Sequence, residues 1–84
     1  MEPKDFVNIT WQDGVVPEVG VNGCQINDVL EVVISRLAEL NTAFPCEEND
    51  YTMDYIREAI MWQNRRTANR IAQGVEGQHV THES

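Results

Sequence analysis

Three of the six basic residues in this sequence, Arg65, Arg66 and Arg70, fall within six consecutive positions. Guanidinium groups are planar forks that meet phosphate oxygens bidentately, so a cluster of them is a candidate anion site. Arg66 and Arg70 stand four residues apart, which on a helix puts both on one face. Trp62 lies one turn before Arg66 and offers a flat surface for stacking. The chemistry this set could do is capture of a small phosphate-bearing ligand. The same arginines have a plainer use, because cations in the last turns of a helix complement its dipole with no ligand present.

Other residue types make weaker sets. His79 and His82 stand near the C-terminus with no cysteine or acid cluster fixed beside them, so no metal site is read there. Cys24 and Cys46 have no neighbouring base and read as small packed thiols rather than nucleophiles. Asp13, Glu18 and the acids of residues 47–54 form no paired-carboxylate arrangement. Gly20-Val21-Asn22-Gly23 is a turn signal first and, through Asn22 and Gly23, a candidate ligand loop second. With no base, nucleophile or metal set, the sequence predicts a binding protein rather than an enzyme, with no cofactor.

Fourteen acidic residues against six basic ones give a formal charge of −8. That balance repels nucleic-acid polymers and anionic membranes, whose contacts depend on phosphate neutralisation. A local cationic spot on such a surface favours a compact anion over a long polymer. The N-terminus lacks the basic and then apolar stretch of a signal peptide, and no apolar run approaches the roughly 18–20 residues of a membrane span. Cytosolic residence with free thiols is the expectation. At 84 residues the chain makes one small domain with a modest core. Self-association is the expected stabiliser.

These residues must be positioned by few elements. Residues 1–26 are dense in glycine and proline (Pro3, Gly14, Pro17, Gly20, Gly23), so they read as an ordered arm, with one extended piece around Val7, Ile9 and Trp11. Trp11 reads as an anchor against the helices. A first helix is expected to start at Asn27 or Asp28, with Glu31 in capping-box spacing from Asp28. Val29, Leu30, Val33, Ile34, Leu37 and Leu40 follow the helical period to Asn41. Residues 41–46, in which Pro45 disfavours helix at Phe44, form a connector short enough to make antiparallel neighbours of the flanking helices. The second helix is expected from Glu47 to Gln73, with acids at its start, arginines at its end and Gly74 as its C′ residue. Its apolar stripe of Ile56, Ala59 and Ile60 continues into Gln63, Thr67 and Arg70, with Arg66 at the edge. The expected architecture is all-α: a 1–26 arm, an antiparallel helical hairpin over 27–77 and a polar tail over 78–84. Two unequal helices leave apolar faces open, which again argues for an oligomer.

Several stretches together resemble a known family. Gly20-Val21-Asn22-Gly23 precedes an aliphatic helix. Phe44-Pro45-Cys46-Glu47-Glu48-Asn49 opens the second. Ala59-Ile60-Met61-Trp62 leads into Arg65-Arg66-Thr67-Ala68-Asn69-Arg70, and Gly74-Val75-Glu76-Gly77 ends it. The ordered set, over about residues 17–79, resembles the hairpin domain of phage anti-defence nucleotide sponges, which counter the CBASS and Thoeris immune systems of bacteria.

The resemblance implies a protein of the host bacterial cytoplasm. It would bind cyclic nucleotide messengers (cyclic ADP-ribose isomers, cyclic di- or trinucleotides) and hold them without cleavage. It also implies a dimer-based homo-oligomer, up to the hexamer that several such proteins form. In the Thoeris-type branch the asparagine of a Cys-x-x-Asn stretch and two arginines contact the ligand; the matching positions here are Asn49, Arg66 and Arg70. Glu39 departs from the pattern, standing where the ADP-ribose-binding branch has an aromatic. Asn49 and Arg66 are 17 residues apart, about 25 Å along one helix. An antiparallel dimer would therefore be needed to bring the two ends to one ligand. The rival expectation is a protein-interaction module with no small-molecule ligand.

Overall fold

The computed structural model describes residues 1–76, and side chains as far as Gln73. Three α-helices follow a one-turn 3-10 helix at Pro3–Phe6: α1 (Val16–Val19), α2 (Ile26–Ala43) and α3 (Glu47–Glu76). The described residues form no strand. The extended piece expected around Val7–Trp11 is reduced to one isolated parallel bridge between Trp11 and Cys24. Trp11 holds the arm through this main-chain bridge while its side chain stays half exposed, so the side-chain anchor expected of it is not what forms.

Two side-chain amides wire the arm. Gln12 donates from Nε2 to the carbonyls of Gly14 (3.2 Å) and Gly20 (2.9 Å), and its Oε1 accepts from the N–H groups of Asn22 (3.0 Å) and Gly23 (3.3 Å). Asn22 exchanges two 2.8 Å bonds with the backbone of Asp13, accepting at Oδ1 and donating from Nδ2. The bridge closes the base of this loop, with Gln12 N–H donating to Cys24 and Cys24 N–H donating to Thr10, both at 2.8 Å. A loop without a sheet must satisfy its backbone locally, and these two amides do that.

Helix α2 begins one residue before the earliest expected start, and its cap is built differently. Gln25 is the N-cap and Asp28 is the third helical residue, whose carboxylate accepts from Gln25 N–H at 2.8 Å. The box thus runs Gln25–Asp28, not Asp28–Glu31; a Gln cap is uncommon, which is why composition pointed further along. At the other end α2 continues past Asn41 to Ala43, leaving only residues 44–46 as connector. Pro45 disfavours helical geometry at Phe44, which takes φ −139° and ψ 83° and ends the helix there. Asn41 is helical and ties the turn together: its Oδ1 accepts from Cys46 N–H (2.9 Å) and, at 3.5 Å, from Asn49, while its Nδ2 donates to Asp50 at 2.9 Å.

Helix α3 has 30 residues, about 45 Å by its rise, and overshoots α2. Gly74 lies inside it rather than at C′. The expected tail and both histidines fall outside the described residues. Along the seam, Leu30, Ile34 and Leu37 of α2 face Met53, Ile56 and Ile60 of α3, spaced by threes and fours. Polar pairs mark both ends of it: Asn27 donates to Asn64 at 2.9 Å, and Asn41 donates to Asp50. Fourteen residues forward on α2 match fourteen backward on α3, so one antiparallel register holds throughout.

Burial in this hairpin is slight. Among the described residues only Met53 is buried, at 6% exposure. Val32, Phe44, Tyr55 and Val21 are 68–80% exposed, and Val33 and Leu40, expected in the apolar stripe, are still 40–42% exposed.

Candidate functional site

The end of α3 that projects beyond α2 carries the arginine cluster. The half-buried line of α3 runs through Ile56, Ala59, Ile60 and Gln63 and ends on Arg66. Arg66 therefore belongs to the seam line rather than to its edge. Thr67 and Arg70 lie on the exposed surface, and the Thr67 hydroxyl donates back to the Gln63 carbonyl at 3.1 Å. Arg66 and Arg70 share the i,i+4 relation, and Arg66 makes a further interaction within the fold. A half-buried guanidinium is held in fewer rotamers than a surface one, so it is already partly ordered.

Arg65 completes the set. Its guanidinium carbon lies 5.1 Å from the centre of the Trp62 ring, a cation–π contact, and the indole is 52% exposed. Trp62 thus offers a flat, cation-faced surface beside Arg66. The chain's other two arginines are engaged within their own helices, Arg36 with Glu39 and Arg57 with Asp54, each at 3.1 Å. Glu39 is thereby held on the surface of α2 by Arg36.

The remaining candidates are separate from this cluster. Asn49 is half-buried at the opposite end of the seam, contacting Asn41. Within one chain it is not brought to Arg66. The amide of Asn22 is committed to Asp13, and a Cβ placed on Gly23 would lie 2.5 Å from the Trp11 carbonyl group. Gly23 is therefore required by the close passage of two backbone segments. Both residues have a structural task that accounts for them. Among the described residues no three His, Cys, Asp or Glu side chains gather as a metal site, and no helix is long and apolar enough to cross a membrane.

Comparison with known proteins adds a decisive observation: residues 3–68 match the family model of the Acb2/Tad1 hairpin domain. The chain belongs to the Acb2/Tad1 hairpin family. It is also 42% identical over 81 residues to Thoeris anti-defense 1 of Bacillus phage SBSphiJ7, an alignment covering 90% of this chain. The chain spans only 57% of that relative's length. The matched hairpin span contains Asn49, Trp62 and Arg66, whereas Arg70 lies just beyond it.

Sequence reasoning missed the bonding roles of Gln12 and Asn41 and the pairing of Arg65 with Trp62. Gln12 and Asn41 act through bonds to backbone brought close only by the fold, so no periodicity announces them. Arg65 had a legible signal, its three-residue spacing from Trp62 on a helix.

Proposed function

We propose that this Acb2/Tad1 hairpin protein acts in the host bacterial cytoplasm as a phage anti-defence sponge. It binds cyclic nucleotide immune messengers and holds them intact, blocking Thoeris or CBASS signalling. The observation that carries the reading is the projecting end of α3, where half-buried Arg66, exposed Arg70 and the Trp62–Arg65 pair stand together on an otherwise acidic protein. Arginine forks pair with the phosphates, and the indole covers a base. The mechanism is stoichiometric capture without turnover, which demands slow release.

The site is completed by a second copy. Asn49 and Arg66 occupy opposite ends of the seam, and antiparallel pairing of two α3 helices brings the Asn49 end of one near the Arg66 end of the other. The same pairing sets the acidic start of α3 (Glu47, Glu48, Asp50) beside the basic end of its partner. A dimer is the unit this requires, and a hexamer is three such units.

The test is a calorimetric panel on the purified chain: cyclic ADP-ribose isomers, cyclic dinucleotides and cyclic trinucleotides, with linear ATP and NAD as controls. One cyclic class should bind tightly and be recovered intact after denaturation. Arg66→Ala with Arg70→Ala should weaken binding at least about 100-fold, two charge-assisted contacts of about 1.5–3 kcal/mol each, at unchanged helicity and mass. A folded protein that binds nothing in the panel leaves the protein-interaction module as the better reading.

A further inference from the structure

The hairpin is closed at one end by its connector and joined at the other by an amide pair. Asn27, the second residue of α2, donates from Nδ2 to Oδ1 of Asn64 at 2.9 Å. Past that rung α2 has run out, while α3 continues to Glu76 and carries Arg66 two residues later. The pair is costly as it stands. Oδ1 of Asn27 is buried with no hydrogen-bond partner, so it forfeits its hydration for nothing in exchange. An apolar residue at 27 would extend the line of Leu30, Ile34 and Leu37 without that cost. A polar group in an apolar helix seam is known chiefly for selecting one helix arrangement at the expense of stability.

What needs selecting here is the roll of α3. The connector at residues 44–46 limits how far α3 slides along α2, yet Asn64 lies fourteen residues beyond Asp50, about 21 Å from that turn. The aliphatic contacts between them are non-directional and resist rolling weakly. On a helix turning about 100° per residue, Asn64 and Arg66 flank half-buried Gln63 on opposite sides. A roll that lifts Asn64 away from α2 therefore drives Arg66 toward it. A guanidinium about 6 Å from the helix axis moves about 1 Å for a roll of about 10°. That displacement spoils a bidentate meeting with phosphate.

We propose that the Asn27–Asn64 pair is a positioning clasp, which fixes the roll of the projecting end of α3 and so aims Arg66. Neither asparagine need touch the ligand. The clasp is a property of the free chain, and only its bearing on messenger capture rests on the sponge reading above.

Two variants separate the clasp from the seam. Asn27→Leu removes the bond together with the orphan oxygen, whereas Asn64→Asp keeps an acceptor for Nδ2 of Asn27. The reporter is the Arg66 Nε–H group in nitrogen-15 NMR spectra of the ligand-free protein, with the ion-paired Arg36 and Arg57 as references. In Asn27→Leu the Arg66 signal should move and its proton should exchange with water at least about tenfold faster, with the references unmoved and the urea midpoint no lower. Asn64→Asp should leave the Arg66 signal in place. A signal unmoved in Asn27→Leu, one moved equally by Asn64→Asp, or one that moves only together with the references overturns the proposal. Binding is then compared for whichever cyclic ADP-ribose isomer, cyclic dinucleotide or cyclic trinucleotide the wild-type chain holds. Asn27→Leu should weaken it about tenfold, as loss of a positioning partner does at metal sites; equal affinity overturns the aiming of Arg66. A wild-type chain that binds none of them removes the sponge reading, and the Arg66 signal still decides the clasp.

Discussion

At the scale of single residues, a glycine and an asparagine make opposite predictions. Gly23 passes so close to Trp11 that a methyl group would overlap backbone atoms at 2.5–2.6 Å, and backbone cannot swing aside as a side chain does. Gly23→Ala should cost about 1–3 kcal/mol, the usual range for forced overpacking, read as a lower urea midpoint. An unchanged midpoint would mean the Trp11–Cys24 bridge is not needed. Asn27 is the reverse case. Its Nδ2 reaches Asn64, but its buried Oδ1 has no hydrogen-bond partner. Asn27→Leu removes that orphan and leaves exposed Asn64 to water, so it should stabilise by about 1 kcal/mol; a loss of stability instead would show that the amide pair outweighs its orphan oxygen. The sequence disclosed neither fact, because both depend on which group the fold brings within 3 Å. It did disclose the arginine cluster, since residues on one helix have their spacing set by the helix itself.

At the scale of elements, the hairpin was legible and its ends were not. Three- and four-residue spacings from Leu30 to Leu37 and from Met53 to Ile60 are a seam in any register. The capping of α2 depends on a Gln25 that propensity would not choose, and the end of α3 depends on a Gly74 that the helix absorbs. The connector works because Asn41, the last seam residue of α2, reaches Cys46 N–H, Asn49 and Asp50 together. Asn41→Ala strands one backbone donor at the start of α3 and frees Asp50. It should cost about 1–3 kcal/mol, and faster amide exchange should appear at residues 46–50 first. Exchange that rises evenly over the whole hairpin would place the role of Asn41 in global stability rather than in the turn.

At the scale of the whole molecule, burial decides what the chain is. One buried residue among those described does not constitute a core able to offset the ordering of two helices, which costs about 1–2 kcal/mol per residue in backbone entropy alone. Two open apolar faces, the arm from Phe6 to Val21 and the line of Tyr51, Tyr55 and Trp62 along α3, are 39–80% exposed in the isolated chain. Tyr51, Tyr55 and Trp62 recur four and seven residues apart on the side of α3 away from α2, a helix-pairing pattern with no helix paired to it. Folding and assembly should therefore be one event. For a dimer linked to folding, each tenfold dilution removes about 1.4 kcal/mol per dimer, which for two chains of this size unfolding together lowers Tm by roughly 3–6 °C. Thermal melts followed by helicity over a hundredfold range of concentration should shift by at least twice that amount. Tyr55→Glu should lower Tm at every concentration, because it introduces a charge on the α3 face where the second copy of the site is proposed to pair. Superimposable melts at all concentrations would mean that the hairpin is stable alone, and the exposed faces would then be free for a partner of another kind.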